Sequence, residues 1–200
     1  MTDGDPDLEV PPPRAVVLVE GVSDRLALET LAVRRGRDLR AEGVLILPVG
    51  GSKNIRRYLE LFGPRGSDVR LAGLCDAAEE GDLRRGLELA GFGSDLDRAA
   101  MERLGFFVCV DDLEDELIRS LGAIVVERVI EALGDLGPFR TFQRQPAWRG
   151  RTVEEQLRRF LGTHGGRKAR SAPLLVEALD LTRAPPPLDG VLAHVDGSRA

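Results

Sequence analysis

The chain has 200 residues, long enough to bury one sizeable core, and its apolar and charged shares of 42% and 30% are those of a globular domain rather than a disordered or fibrous chain. Its net charge of −5 excludes capture of nucleic acid by bulk electrostatics, and no apolar run approaches the roughly 18 residues of a membrane span. The acidic, proline-rich start MTDGDPDLEVPPPR lacks the basic-then-apolar order of a secretory signal, so residues 1–13 are read as a disordered leader and the protein as cytoplasmic.

The first predicted strand, Ala15–Val19, ends on Glu20 and Gly21. A carboxylate closing an apolar strand, before a glycine that lets the chain turn, reads as functional. The helix after it, Ser23–Arg35, sets Ala27, Leu28, Leu31 and Ala32 on one face. Ser23 suits an N-cap and Asp24 suits a first turn, so Asp24 stands equally as helix punctuation and as a ligand. The second strand, Val44–Val49, runs into Gly50-Gly51-Ser52-Lys53 and a helix over Lys53–Phe62. That turn is able to offer backbone N–H groups to a phosphate, but an ordinary serine-capped turn is favoured. No GxxxxGK[ST] occurs, which excludes a P-loop ATPase.

The third strand, Arg70–Cys75, delivers Asp76; Glu79, Glu80 and Asp82 behind it read as a solvated loop. Helices over Leu83–Ala90 and Leu96–Leu104 lead to the fourth strand, Phe106–Val110. Asp111, Asp112, Glu114, Asp115 and Glu116 come next, more acid than a capping box needs, so at least two of them are given a function. Helices are expected near 113–120, 123–134, 152–161, 168–180 and 187–195, with breaks at Gly134–Gly137 and Ala184–Pro187.

The four strands lack polar alternation and alternate with helices, the pattern of an α/β fold with a parallel sheet buried on both faces. The expected layout is an α/β core over 14–121 with a helical part, 122–200, packed on it. Ligands of such sheets lie outside the carboxyl ends of the strands. Three of the four strands bring carboxylates to that edge and the fourth brings a glycine turn with a lysine. Hard oxygen donors crowded in this way suit Mg²⁺, Mn²⁺ or Ca²⁺, and paired ions suit phosphodiester chemistry. Cys75 and Cys109 lie in apolar runs without a CxxC and read as buried thiols; His164 and His194 read as surface residues.

Basic residues concentrate between Pro138 and Arg170, interleaved with Phe142, Trp148 and Phe160. A nucleic-acid interface and a solvated helical surface over core aromatics both fit this pattern. Lysine occurs only at Lys53 and Lys168 in a chain that otherwise uses arginine, which singles out those two point charges.

The ordered series VVLVEGVSDRLALETLA, ILPVGGSKNIRRYLELF, GLCDAAEE, FFVCVDDLEDELIRSLG and GRKARSAPLLVEAL resembles the Toprim domain of the OLD (overcoming lysogenization defect) family nucleases, over most of the chain from Ala15 onward. The resemblance implies a compact, Rossmann-like Toprim fold with a four-stranded parallel sheet flanked by helices. It implies Mg²⁺ or Mn²⁺ held by Glu20, Asp24, Asp76, Asp112 and Glu114. It also implies Glu20 as general acid/base or ligand, and Lys168, in a KxxxA pattern with Ala172, at the scissile phosphate. Two departures stand out. The DxD expected after the third strand reads Asp76-Ala77-Ala78; either Glu79 or Glu80 substitutes for the second acid, which spacing alone does not show, or a ligand is lost, which would weaken one metal site or abolish cleavage. OLD nucleases also carry an ABC-type ATPase domain ahead of the Toprim part, whereas here only a short leader precedes it, so a stand-alone protein or a separate ATPase partner is expected.

The expected function is a divalent-metal-dependent DNA endonuclease or nicking nuclease, with Lys53, Arg149, Arg151, Arg167 and Arg170 on the nucleic acid. The alternatives are a non-catalytic metal- and nucleic-acid-binding module that partners an ATPase, and a nucleotidyl transferase or hydrolase acting on RNA or nucleotides. The lone tyrosine, Tyr58, falls inside an amphipathic helix and gives no topoisomerase nucleophile.

Overall fold

The side chains of the first strand place it at the centre of the sheet. In the computed structural model, which describes residues 12–51, 54–163 and 165–196, β1 (Ala15–Val19) is buried at all 5 positions. It pairs in parallel with β2 (Val44–Pro48) on one side and β3 (Arg70–Cys75) on the other, and β3 pairs in parallel with β4 (Phe106–Val108). The order is β2-β1-β3-β4, so the direction of winding reverses between β1 and β3. Crevices at such reversals are where open α/β sheets bind ligands.

Strand periodicity divides the core into two layers. Ala15, Val17 and Val19 face one cluster, Val16 and Leu18 the other. On the first face lies α1 (Val22–Arg34), with Ala27, Leu28, Leu31 and Ala32 buried as the helical spacing anticipates. The opposite face is covered by α2 (Ile55–Phe62), α3 (Glu80–Ala90) and α4 (Arg98–Arg103). The rest of the chain returns to the α1 side as α5 (Leu113–Leu121), α6 (Ala123–Ala132), α7 (Leu136–Gln143), α8 (Val153–Gly162), α9 (Gly165–Glu177) and α10 (Pro186–His194). The expected α/β sheet with a helical extension is what the chain forms. Among the described residues no helix is long and apolar enough to cross a membrane.

Several boundaries differ from the sequence expectation. Sheet pairing stops at Val108 rather than Val110, because the Val110 N–H turns to the Glu116 carboxylate at 2.8 Å. Helix α7 begins at Leu136, inside the Gly134–Gly137 stretch that reads as a break, and fills a segment where no helix is expected. Pro138 falls in its first turn, where a missing N–H is harmless, and Phe139 anchors it in the core. Glu79 and Glu80 are half-buried rather than loop-exposed: a 3-10 turn over Ala77–Glu79 leads directly into α3. His194 is also half-buried, with its ring against Gly105, while His164, Ser52 and Lys53 lie outside the described residues. Both cysteines are buried, as expected, and burial pushes both thiols up.

Helix α9 is set against α1 by small residues on both, among them Ala27, Ala32 and Ala172. Arg34, at the end of α1, donates to the Val176 and Leu179 carbonyls at 2.7 and 2.8 Å and so satisfies the end of α9. Lys168 sits one turn before buried Ala172 on the same helical face.

Glu116 shapes the loop between β4 and α5. It is 2% exposed, accepts the Val110 N–H and pairs with Arg119 at 2.8 Å. Glu116→Ala is expected to cost about 1–3 kcal/mol by leaving the loop N–H unpaired, read as a lower midpoint in urea; an unchanged midpoint would show that the loop holds itself.

Candidate active site

Four elements bring acids to one cavity of about 410 Å³ at the carboxyl edge of the sheet. Glu20 follows β1, Asp24 lies in the first turn of α1, Asp76 follows β3 and Glu114 lies in the first turn of α5. Lys168 of α9 closes the side, and Gly50 and Gly51 form part of the wall. Those two glycines have φ of 72° and 106°, a backbone region that other residues adopt only with strain. Gly21 does not use that freedom: its φ of −140° is ordinary extended backbone.

Asp24 faces two ways. Its Oδ2 accepts the Gly21 N–H at 2.8 Å, which punctuates the start of α1, and the same side chain lines the cavity. Glu114 is 3% exposed and accepts from Lys168 Nζ at 2.7 Å. Asp112 faces a second cavity, of about 470 Å³, on the other side of Lys168. One of its oxygens caps α5 through the Asp115 N–H at 2.9 Å, and the other accepts from Arg158 Nε at 2.8 Å. Arg158 also pairs with Asp111 at 3.0 Å.

The crowding is visible in the acidities. Burial, then the Glu79 and Asp24 charges, push Glu20 up to about 7, with Lys168 opposing. Burial pushes Asp24 up to about 6, against the Gly21 hydrogen bond. Asp76 rises to about 8 through burial and the Glu20, Asp24 and Asp112 charges. Glu114 is raised by burial, against Lys168. Burial disfavours the Lys168 cation, but Glu114, Asp112 and Asp76 outweigh it and raise its pKa.

These shifts have a sign. Acids with folded pKa values above their unfolded ones make the folded state bind more protons, so stability falls as pH rises. The penalty is absent below about pH 4, where these acids are protonated in both states, and complete only above the Asp76 value of about 8. The metal-free protein is therefore expected to melt at a higher temperature at pH 5.5 than at pH 8, with a smaller difference in Asp76→Asn. Equal slopes in wild type and variant would contradict the crowding.

Among the described residues no group of three or more His, Cys, Asp or Glu side chains is arranged as a ready-made metal site. The acids are engaged elsewhere: Asp24 is turned to a backbone N–H, Glu114 to Lys168 and Asp112 to Arg158. The donor set is nonetheless all hard oxygen, its acids repel one another and it opens on a cavity, which fits a divalent cation in kind.

Residues 13–77 match the TOPRIM domain of the overcoming lysogenization defect protein-like family. That stretch, about a third of the chain, is similar to an OLD-like Toprim domain. Its structure is similar to the C-terminal region of the Xanthomonas campestris pv. campestris OLD protein, with a TM-score of 0.70 and 26% identity over 92% of this chain and 94% of that one. It is also similar in fold to the C-terminal region of the Burkholderia pseudomallei OLD protein, with a TM-score of 0.71 and 22% identity over 92% and 97% of the two chains. No curated protein matches the chain in sequence.

Around the two cavities the basic residues part company. Arg151 lines the second cavity with Trp148, Arg158, Arg159 and Lys168. Arg149 is exposed and bonds the Arg144 carbonyl. Arg167 instead holds α9 in place: it donates to the Phe160 carbonyl at 2.8 Å, pairs with Asp135, and stacks 3.9 Å from the Phe160 ring centroid. Exposed Arg170 reaches the Leu133 carbonyl at 3.3 Å. Trp148 stacks on Phe142 at 5.0 Å, which sets an aromatic pair beside the second cavity. Sequence reasoning missed Arg158 as a site residue; it joins Asp112 across 46 positions of chain, a pairing that no local pattern signals.

Proposed function

We propose that the protein is a divalent-metal-dependent phosphodiesterase acting on DNA as an endonuclease or nicking nuclease. The observation that carries this reading is the convergence of Glu20, Asp24, Asp76 and Glu114 with Lys168 on one cavity at the sheet reversal. Glu20, Asp24 and Asp76 would hold the cation, with Glu114 and Asp112 as further donors once released from Lys168 and Arg158. A bound Mg²⁺ or Mn²⁺ supplies Lewis-acid charge and lowers the pKa of water.

The chain's own residues do the rest. Glu20, poised near neutral pH, is placed to accept a proton from an attacking water. Lys168 lines both cavities, and from there its ammonium would offset the phosphate charge that builds up in the transition state. Arg151, Arg158 and Arg159 in the second cavity steady the neighbouring backbone phosphates, and Trp148 offers an aromatic wall. The test is conversion of supercoiled plasmid to open circle with Mg²⁺ or Mn²⁺ and its loss in chelator; a homogeneous protein that never nicks under any of these conditions refutes the nuclease reading.

One observation favours a second reading. Ala78 is exposed and carries no acid, and a Toprim module short of a ligand would bind metal and nucleic acid without cutting. Mn²⁺ uptake and DNA retention without nicking would select it.

A further inference from the structure

We infer that the second cavity is a seat for one unpaired nucleotide beside the cleavage site, its base laid against Trp148 and its phosphate held by Arg151 and Arg159. The inference rests on the proposed nuclease activity and narrows its substrate to DNA that offers an unstacked base there. The cavity, about 470 Å³, is of the size that takes small organic ligands. It adjoins the acidic cavity, since Lys168 lines both. Trp148 is a fixed part of its wall. The indole stacks on Phe142 at 5.0 Å with 29° between the planes, and Phe142 packs in turn 5.7 Å from the Phe160 ring. Buried Gln156 donates to the Trp148 carbonyl at 2.8 Å, and its own amide oxygen accepts from Gln143 at 2.7 Å. Phe142 lies outside the lining, so the cavity meets Trp148 away from the stacked face.

The charges around this wall suit a phosphate. Arg151, Arg158, Arg159 and Lys168 outnumber the two acids of the lining, Asp112 and Glu155. Both acids are occupied: Asp112 by its helix cap and Arg158, Glu155 by the Thr152 N–H at the start of α8, at 3.0 Å. Among the described residues no ion pair engages Arg159, and Arg151 meets Glu155 only at 3.6 Å, across exposed side chains. Those two guanidiniums are therefore open to phosphate oxygens, whose geometry their planar fork matches. A base inside a duplex has both faces stacked on its neighbours, so only an unpaired or extruded base can lie on an indole. Every base has such a face, so the seat distinguishes unpaired from paired DNA rather than one sequence from another.

Trp148 is the only tryptophan of the chain, so its fluorescence reports on this cavity. With chelator present to stop metal-dependent cleavage, a short oligothymidylate is expected to quench that fluorescence saturably, and a blunt duplex of the same length is not. Anisotropy of the labelled oligothymidylate gives affinities for variants of the full chain, with circular dichroism to show that each is folded. Trp148→Ala is expected to weaken binding by about 5- to 100-fold, with Trp148→Phe recovering most of the loss. Arg159→Ala is expected to weaken binding and to flatten its dependence on salt. Equal quenching by duplex and single strand overturns the inference and leaves the nuclease reading intact. Affinity unchanged in Trp148→Ala or in Arg159→Ala overturns it too, as do equal losses in Trp148→Ala and Trp148→Phe. Wild type that binds neither DNA also overturns it, and the plasmid assay then judges the nuclease reading by itself.

Discussion

Glu20→Gln is expected to lower metal-dependent nicking of supercoiled plasmid by about 10²- to 10⁴-fold, the range for loss of a general acid/base. The reasoning is geometric first. Glu20 stands at the end of the central strand, beside the sheet reversal, with Asp24 and Asp76 as its acidic neighbours. Its acidity, raised to about 7, suits proton transfer near neutral pH. The amide keeps the shape of the side chain and removes one charge from a crowded group of acids. The metal-free variant at pH 8 should therefore be at least as thermostable as wild type. Lost nicking with retained stability separates a chemical role from a folding defect. Nicking within threefold of wild type would show that Glu20 neither moves the proton nor holds the cation.

Lys168→Ala is expected to have two effects at once. Glu114, at 3% exposure, loses the ammonium that donates to it at 2.7 Å. Loss of a charged hydrogen bond of this kind costs about 1.5–3 kcal/mol, measurable by urea unfolding. Nicking should fall by about 10²- to 10³-fold, as for removal of a donor to transition-state charge. The double variant Lys168→Ala with Glu114→Gln separates the two: it should regain most of the stability and none of the cleavage. Recovery of cleavage in the double variant would reduce Lys168 to a structural partner of Glu114.

The fold could be read from the chain because its strands are buried on both faces. Ala15–Val19 and Arg70–Cys75 carry no polar alternation, and each stands with its predicted limits. Their position also made Glu20 and Asp76 legible, since the residue just past the end of a parallel strand lies at the binding edge. Helix α7 was not legible, because Gly134–Gly137 reads as a break although the helix begins inside it, at Leu136. Composition marked the acids of Asp111–Glu116 but not their division of labour. The fold assigns Glu114 to the cavity, Asp112 to a helix cap and Arg158, Asp115 to Arg119, and Glu116 to a loop N–H. The arginines of 140–170 divide in the same way. Their identity is local, but whether one faces solvent or an aromatic ring depends on how α8 and α9 pack.

The pairing of α9 with α1 also bears on how the protein is made. The first strand, its helix and their acids are made before the segment that covers α1 and carries Lys168. Until then the buried stripe of Ala27, Leu28, Leu31 and Ala32 has no α9 against it, and the acids have no ammonium beside them. A nascent chain thus holds a charge-crowded, incomplete pocket until α9 has been made. Packing of α9 on α1 covers that stripe and brings the ammonium to the acids in the same event.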